Sequence, residues 1–435
     1  MSTNIKHKKN IQAEPDIINL SKKQKEAYSL MEDGKSIFLT GAAGVGKTQV
    51  LKLFISNYKQ TKIIGVTSTT GISALLFGGS TLHSFLGIGL GTGSIGYLCK
   101  QIAIKSFIKK RWNEIDILVI DEISMLSPIL FDKLEEMARI IRNNQEPFGG
   151  IQLILSGDFC QLPCVGSDDF CFESKNWHKC IQHSIYLDEI MRQKDIEFQE
   201  CLNKVRIGLL CNKTINLLSS RLNVKLDNDY GITPTRLFST NSSVDYINNE
   251  EIDKLAAGDV EFYEYNMTFK LYANKQNADY IIDKYKKSCN APDKIQLCVG
   301  AQVMLLFNLD IDEGLVNGSR GIIIKFINDI PTVKFLNGKE VVIDYHIWEI
   351  MENDKKILRV IQIPLKLAYA ITIHKSQGLS LDFVEIDLLH CFSPGQAYVA
   401  LSRVKNLEGL SIIGIDFDKI TAHQKAVAFY SNLLC

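Results

Sequence analysis

The chain carries Gly41-Ala42-Ala43-Gly44-Val45-Gly46-Lys47-Thr48 directly after the apolar run 36–40 and before the helix-like segment 49–58. This pattern is typical of a phosphate-binding loop, in which glycines let successive backbone N–H groups point at phosphate oxygens. The N-terminus of the following helix adds a favourable dipole. We predict that Lys47 reaches the β- and γ-phosphates and that the Thr48 hydroxyl ligates Mg²⁺. The alternative, a glycine-rich turn without a ligand, is disfavoured by the strand before it and the helix after it.

Strand-like and helix-like segments alternate on both sides of this loop. Compact β-rich runs are predicted at 36–40, 62–67, 117–120 and 151–156, with helical spacing between them, as at 128–143. This alternation predicts a parallel sheet covered on both faces. A second α/β pattern, with strands at 384–388 and 410–415, closes the chain. Between the two lie β-rich runs at 295–308, 320–326, 332–335 and 341–345, with Asn-Gly turn signals at 317–318 and 337–338, which predict an all-β insertion.

An acidic pair follows the run 117–120. Asp121 would hold Mg²⁺ through water, and Glu122 would polarise the attacking water. Gln161 lies just beyond the next predicted strand, where its side chain can sense the γ-phosphate. The alternative for the acidic pair is a solvated loop. The Asn-Lys-x-Asp element expected of a GTPase is absent from the sequence.

Composition limits the class of protein. The 435 residues contain 49 Lys plus Arg and 49 Asp plus Glu, which argues against a histone-like binder but not against a local basic patch. The 11 Cys are scattered, which predicts a reducing, intracellular compartment. They form no C-x₂-C pair, so a zinc site is not predicted. No apolar run reaches the roughly 18 residues that a membrane span needs.

These motifs resemble those of superfamily 1 helicases and, more narrowly, of the PIF family. The likeness covers about residues 20–430, and its most discriminating stretch is 121–163; further motifs lie at 20–24, 66–71, 79–85, 189–193, 372–378 and 398–404. One departure is Leu162-Pro163-Cys164-Val165, where the family usually has Leu-Pro-Pro-Val. The resemblance implies an α/β fold of two RecA-like P-loop NTPase domains with a small wedge insertion and an SH3-like β-barrel insertion.

The resemblance also implies domain bounds. Residues 1–20 would be a flexible tail, 21–86 and 113–186 the first RecA-like domain (1A), and 87–112 the wedge (1B). Residues 187–258 and 364–435 would form the second RecA-like domain (2A), interrupted by the SH3-like insertion 259–363 (2B). The wedge segment carries Lys100, Lys105, Lys109, Lys110 and Arg111. These cations belong either to a duplex-splitting wedge or to a solvated amphipathic helix.

The resemblance assigns site residues in both domains. Those implied to contact ATP are Gln24, Gly41, Ala42, Ala43, Gly44, Val45, Gly46, Lys47, Thr48, Gln377 and Gly378, with Thr48 and Asp121 at Mg²⁺. The implied catalytic residues are Lys47, Glu122, Gln161, Arg192 and Arg403, the last supplied from the second domain. The implied DNA contacts are Thr67, Ser68, His83, Phe85, Thr372, His374, Lys375 and Ser376.

Three functions remain open from the sequence. The first is an ATP-dependent 5′-to-3′ DNA helicase that unwinds duplex or G-quadruplex DNA in replication, repair, recombination or telomere maintenance. The second is a DNA-stimulated ATPase that translocates without unwinding, and the third is a catalytically silent binding module. The expected partners are single-stranded and forked DNA and replication or repair proteins, with a monomer in solution. The nucleus, the mitochondrion and a viral replication site in the cytoplasm are all compatible locations.

Overall fold

The computed structural model describes residues 20–434, except 71–72, 75–76, 165, 191–194, 227–232, 259, 273–278, 280–281, 284–285, 287–290, 308, 311–312, 314, 316–317 and 353–354. Within the described part, no helix has the length and the apolar composition needed to cross a bilayer.

The first domain is built on a six-stranded parallel sheet. Its strands are β1 (Ile37–Gly41), β2 (Ile64–Ser68), β3 (Ser80–Thr81), β4 (Ile117–Asp121), β5 (Gln152–Gly157) and β6 (His183–Leu187). The spatial order is β3-β2-β4-β5-β1-β6, and every neighbouring pair is parallel. The four strands predicted here are confirmed with small shifts at their ends. The prediction missed β3 and β6, which are the two edge strands.

Helices cover both faces of this sheet. They are α1 (Lys22–Glu32), α2 (Lys47–Tyr58), α3 (Leu82–Leu86), α4 (Ile95–Ile104), α5 (Ser106–Glu114), α6 (Pro128–Arg142) and α7 (Trp177–Cys180). Because successive side chains of a strand point to opposite faces, Phe38 of β1 packs in one apolar cluster while Ile37 and Leu39 pack in the other. The two buried faces fix the register of the central strands and so the position of the loop that follows β1.

The predicted wedge consists of α4 and α5, which pack against α6 through buried Leu98, Ile102, Ile108 and Trp112. The Trp112 indole N–H donates to the Leu86 carbonyl at 3.0 Å. The remaining faces of the two helices carry exposed Lys100, Lys109 and Lys110. An amphipathic pair of helices is therefore present, and this geometry is compatible with both interpretations of the cations.

The second domain begins with α8 (Ile196–Arg206), α9 (Asn212–Ser219), β7 (Thr235–Phe238) and α10 (Asn241–Ala256). A β-rich insertion then follows, with β8 (Tyr263–Asn266), β9 (Thr268–Leu271), β10 (Lys294–Leu297), β11 (Gln302–Leu305), β12 (Arg320–Ile327), β13 (Ile330–Phe335), β14 (Glu340–Val342), β15 (His346–Glu352), β16 (Lys355–Gln362) and β17 (Leu365–Leu367). These strands form antiparallel sheets in the orders β14-β13-β12-β11-β17, β15-β16-β9 and β10-β8. The predicted turn at Asn337-Gly338 joins β13 to β14, while Asn317 lies outside the described residues.

The second domain closes with β18 (Ala370–Thr372), α11 (Ile373–Ser376), β19 (Val384–Leu388), α12 (Gln396–Leu401), β20 (Leu410–Ile415) and α13 (Gln424–Leu434). Its parallel sheet has the order β18-β7-β19-β20, and the strands predicted at 384–388 and 410–415 are confirmed. Short 3₁₀ turns lie at Ile123–Met125, Pro147–Gly150, Cys171–Glu173, Leu407–Gly409 and Phe417–Lys419.

The final helix α13 returns to the first domain, although the predicted bounds place it in 2A. Ala426 and Tyr430 join the apolar core of the first domain. The Tyr430 hydroxyl lies 2.7 Å from the Thr40 hydroxyl and accepts the Phe159 N–H at 3.0 Å. The end of the chain therefore ties the two α/β domains together next to β1 and its loop.

Candidate active site

The loop after β1 adopts the conformation that its glycines allow. Gly44 and Gly46 have left-handed backbones, with φ of 85° and 83°. At Gly41, φ is 137° and a Cβ would lie 2.3 Å from the Leu187 carbonyl oxygen, so a larger residue would displace β6. Gly46 also forms the N-cap of α2. The loop therefore presents the N-terminus of a helix to whatever lies in front of it.

A cavity of about 320 Å³ opens in front of this loop between the two α/β domains. Its lining residues are Ala43, Gly44, Val45, Gly46, Lys47, Thr48, Gln49, Ser73, Asp121, Glu122, Gln161, Gly378 and Arg403. Gly378 and Arg403 belong to the second domain and the others to the first. The structure thus brings together, on one cavity, most of the residues predicted to bind and hydrolyse ATP.

Lys47 is held by its own loop. Its ammonium group donates to the carbonyl oxygens of Gly41 at 2.8 Å and Ala42 at 3.0 Å. Burial lowers the pKa of Lys47, and the nearby carboxylates of Asp158, Glu122 and Asp121 act in the opposite direction. A partly exposed cation beside a glycine-rich loop at a helix N-terminus is suited to bind phosphate oxygens.

The acidic pair lies at the carboxyl end of β4. Burial and the adjacent charge of Glu122 raise the pKa of Asp121 to about 7. Two neighbouring carboxylates repel when both are ionised, so a cation beside them is stabilising. Thr48 and Asp121 supply the hard oxygen ligands that Mg²⁺ prefers, and both line the cavity. These residues therefore fit the predicted metal site.

Glu122 has an unusual backbone for a residue with a side chain. Its φ and ψ are 54° and 44°, in the left-handed region, which costs on the order of 1–3 kcal/mol. The Thr69 hydroxyl donates to the Glu122 carbonyl at 2.7 Å and so holds this conformation. At Gly157 of the neighbouring strand, a Cβ would meet the Ile123 backbone nitrogen at 3.0 Å. The surroundings of the turn thus hold the Glu122 carboxylate at the cavity.

Contacts across the cleft join the second domain to the loop. The Ala43 N–H donates to the Tyr398 hydroxyl at 2.7 Å. Arg403 is 2% exposed, and its guanidinium donates to the Val399 carbonyl at 2.8 Å and to the Ser402 hydroxyl at 2.8 Å. Neither Tyr398 nor Ser73 was predicted at the site. Tyr398 belongs to the helicase-like motif at 398–404, so the sequence indicated its segment but not its contact with the loop.

Two glutamines predicted to contact ATP, Gln24 and Gln377, do not line the cavity. Gln24 is buried behind the loop, where its amide accepts the Ser21 N–H at 2.9 Å and donates to the Val45 carbonyl at 3.2 Å. Its predicted contact with adenine stays a prediction. Gln377 does not line the cavity and instead bonds to Glu122, as described below. Arg192 lies outside the described residues.

Four of the predicted DNA contacts have side chains that already bond or pack within the protein, and their contact with DNA stays a prediction. Thr67 and Ser68 are buried, and their hydroxyls donate to the carbonyls of Val119 at 2.7 Å and Asp121 at 3.2 Å. These two bonds brace β2 against β4, the strand that ends at Asp121. The Ser376 hydroxyl is likewise buried and donates to the Ile373 carbonyl at 2.7 Å. Phe85 packs beneath the Arg111 guanidinium, which lies 4.6 Å from the ring centroid.

The other predicted DNA contacts differ in how accessible they are. Lys375 is exposed, and His374 and His83 are half-buried, with the pKa of each histidine lowered by burial. Thr372 is buried and caps α11 by accepting the Lys375 N–H at 3.3 Å. Phe392, which the sequence did not single out, is 67% exposed and lies nearly parallel to the His374 ring, 6.5 Å between centroids. A solvent-facing pair of rings beside a lysine suits the bases and phosphates of a single strand.

Comparison with known proteins decides the family. A model described as PIF1-like helicase matches residues 19–213, and one described as DNA helicase Pif1, 2B domain matches residues 283–326. The crystal structure of Pif1 helicase from Candida albicans superposes with a TM-score of 0.83 at 37% identity, covering 95% of this chain and 99% of that one. The chain belongs to the PIF1-like helicase family. The RecA-like core expected from the sequence is thereby confirmed.

Other PIF1-like proteins extend this comparison. The ATP-dependent DNA helicase PIF1 of Xenopus laevis is 40% identical over 96% of this chain but only 65% of its own length. Protein 030L of Invertebrate iridescent virus 6 is 39% identical over 95% of this chain and 94% of its own. A structure of Bacteroides Pif1 in complex with ADP-AlF3 and single-stranded DNA has a TM-score of 0.68 at 30% identity, covering 95% and 97% of the two chains.

Proposed function

We propose that this PIF1-like chain is an ATP-dependent DNA helicase that moves 5′ to 3′ along single-stranded DNA and unwinds duplex ahead of it. The observation that carries the proposal is the shared cavity, to which the first domain contributes Lys47 and the second contributes Arg403. The Bacteroides relative, whose complex holds a nucleotide analogue together with single-stranded DNA, supports ATP and DNA as the ligands.

Hydrolysis would use residues from both sides of the cleft. Glu122 accepts a proton from the water that attacks the γ-phosphorus, while the bond from that phosphorus to the ADP oxygen breaks. Lys47 and Arg403 offset the charge on the phosphate oxygens. Mg²⁺, held by Thr48 and Asp121, supplies further charge neutralisation when bound. Gln161 lies where it can report the loss of the γ-phosphate to the second domain.

Movement follows from the division of the site between two domains. Completing the site requires the cleft to close on Arg403, and release of phosphate lets it open. The proposed DNA contacts are divided between the domains: the second domain carries His374, Lys375 and Phe392, and the first carries His83. The distance between the two sets of contacts therefore changes in each cycle. If the two domains alternate between high and low affinity for the DNA strand, each cycle of ATP hydrolysis would give a step in one direction.

The biological setting is proposed more broadly. A structural neighbour, 30% identical, is described as the structural basis for DNA unwinding at forked double-stranded DNA by two coordinating Pif1 helicases, which supports forked DNA as a substrate. We place the chain where cellular or viral DNA is copied or repaired, in the nucleus, the mitochondrion or a viral replication site, as a monomer in solution. A translocase that does not separate strands is the second candidate, because it would need the same cavity.

Strand displacement separates these candidates. With ATP and Mg²⁺, duplexes carrying a 5′ single-stranded tail should be unwound, whereas duplexes with a 3′ tail or with blunt ends should not. The Lys47→Ala variant should unwind neither, because the loop then lacks its phosphate-binding cation. Unwinding of 3′-tailed duplexes alone would contradict the proposed direction, and vigorous ATP hydrolysis without any displacement would favour the translocase.

A further inference from the structure

Gln377 makes a contact across the cleft that the hydrolysis mechanism does not use. Its side-chain N–H donates to the Glu122 carboxylate at 2.8 Å and faces the Gln161 amide oxygen at 3.5 Å. Gln377 is 1% exposed and belongs to the second domain, while both partners belong to the first. A hydrogen bond to an ionised carboxylate is among the stronger ones in proteins. The catalytic carboxylate is therefore fastened to the opposite domain.

This bond competes with catalysis. A general base must offer an oxygen within hydrogen-bonding reach of the water proton that it removes. Oε2 of Glu122 already accepts a hydrogen bond from the Gln377 amide. The backbone of Glu122 is held by its left-handed turn and by the Thr69 hydroxyl, so the direction of the carboxylate is set by its side-chain torsions and by the bond from Gln377. In this arrangement the base is restrained and less available to water.

Gln377 also follows directly on a DNA-facing element. It comes immediately after α11, a single helical turn whose exposed side carries Lys375 and half-buried His374. The Gln377 N–H donates to the His374 carbonyl at 3.3 Å, so a movement of His374 is passed to Gln377 through one backbone bond. A proposed DNA contact and a group that bonds to the Glu122 carboxylate are therefore only two or three residues apart in the chain.

The Gln377 amide is not held tightly at its other end. Its carbonyl oxygen is buried, and no hydrogen-bond donor reaches it from the described residues. An unpaired buried carbonyl is unfavourable, so a rotation that finds a donor is favoured once α11 shifts. The amide is thus restrained by its bond to Glu122 and little else.

We propose that Gln377 is a positioning residue that restrains Glu122 in the absence of DNA and releases it when single-stranded DNA engages α11. This inference rests on the proposed function, since it assumes that the cavity hydrolyses ATP and that α11 contacts DNA. Through this one side chain, binding of single-stranded DNA at α11 would control whether Glu122 can act as the general base. A residue that merely helped to orient Glu122 for catalysis would have the opposite effect when removed.

The test compares ATP hydrolysis, followed by phosphate release, with and without saturating oligo(dT). In Gln377→Met, which keeps the length of the side chain but lacks the amide, the DNA-free rate should rise at least about threefold. The stimulation by oligo(dT) should fall by the same factor. Gln377→Asn, whose amide is one methylene too short to reach Glu122, should behave likewise and serves if the Met variant does not fold. Ser380→Ala, an exposed position on the same segment, is the matched control and should match the wild type.

The outcomes are distinguishable. If wild-type hydrolysis is stimulated by oligo(dT) but the DNA-free rate of the folded Gln377 variants rises less than about threefold or falls, the restraint on Glu122 is rejected and the helicase proposal stands. If the wild type hydrolyses ATP no faster with oligo(dT), the proposed function fails first, and the restraint proposal fails with it.

Discussion

Replacing Arg403 with alanine is expected to leave ATP binding measurable and to reduce kcat for hydrolysis by a factor of about 10³ or more. Arg403 is the cation that the second domain contributes to the shared cavity, opposite Lys47. Charge supplied across a cleft acts mainly on the transition state, so the loss should appear in kcat and not in nucleotide affinity. Steady-state hydrolysis with saturating single-stranded DNA, together with titration of a fluorescent ATP analogue, measures the two quantities separately.

Lys405→Ala is the matched control, because it removes a cation two residues away that pairs with Asp382 at the surface, where the lysine is 50% exposed. This variant should hydrolyse ATP at a nearly wild-type rate. Arg403→Lys should recover only part of the activity, since an ammonium group lacks the planar fork of donors. A kcat for Arg403→Ala within about tenfold of the wild type, in a folded protein, would remove Arg403 from the hydrolytic site.

Replacing Arg206 with methionine is expected to destabilise the protein by about 3–5 kcal/mol. Arg206 of α8 donates to both carboxylate oxygens of Asp158, at 2.9 and 2.8 Å, and the side chains are 5% and 0% exposed. Its guanidinium also lies 4.3 Å from the centroid of the Tyr430 ring. Removing it leaves a buried carboxylate without its partner where the two domains and α13 meet. The shift of the urea unfolding midpoint measures the loss.

The surface pair of Lys213 with Glu200 provides the comparison, since both side chains are 59% exposed. Lys213→Met should shift the urea unfolding midpoint far less than Arg206→Met does, because a solvent-exposed ion pair contributes little to stability. Burial acts to raise the pKa of Asp158, but Arg206 and Lys47 outweigh it, and the pKa lies below the ordinary value. The pair therefore stabilises the protein above the pKa of an unfolded aspartate, and this stability is lost as the pH falls through the folded value. Equal losses for Arg206→Met and Lys213→Met would show that the buried pair has no special role.

Much of the fold was predictable because local sequence decides it. Glycines 41, 44 and 46 are required by backbone geometry, and the strands ending at Asp121 and Gly157 are continuous apolar runs buried on both faces. The edge strands β3 and β6 were missed, since one has only two residues and the other is partly exposed. The return of α13 to the first domain depends on long-range packing that no local pattern encodes.

The site was predictable in position but not in orientation. Family resemblance implied DNA contacts for Thr67, Ser68 and Ser376, but it did not indicate that their hydroxyls donate to nearby carbonyls in the structure. A short hydroxyl side chain has both options, and only the three-dimensional neighbours decide between them. The contacts of Gln377 and Tyr398 across the cleft could not be predicted from local sequence patterns, because they join residues more than 250 positions apart.

Directed movement on single-stranded DNA is the most direct test of a motor whose ATP site is divided between two domains. Stopped-flow fluorescence can follow arrival at a dye placed at either end of oligo(dT) of increasing length, with ATP and a trap for released protein. We predict a length-dependent delay before the signal from a 3′-end dye and immediate departure from a 5′-end dye. Hydrolysis that continues while the signals from both ends are independent of length would contradict the account.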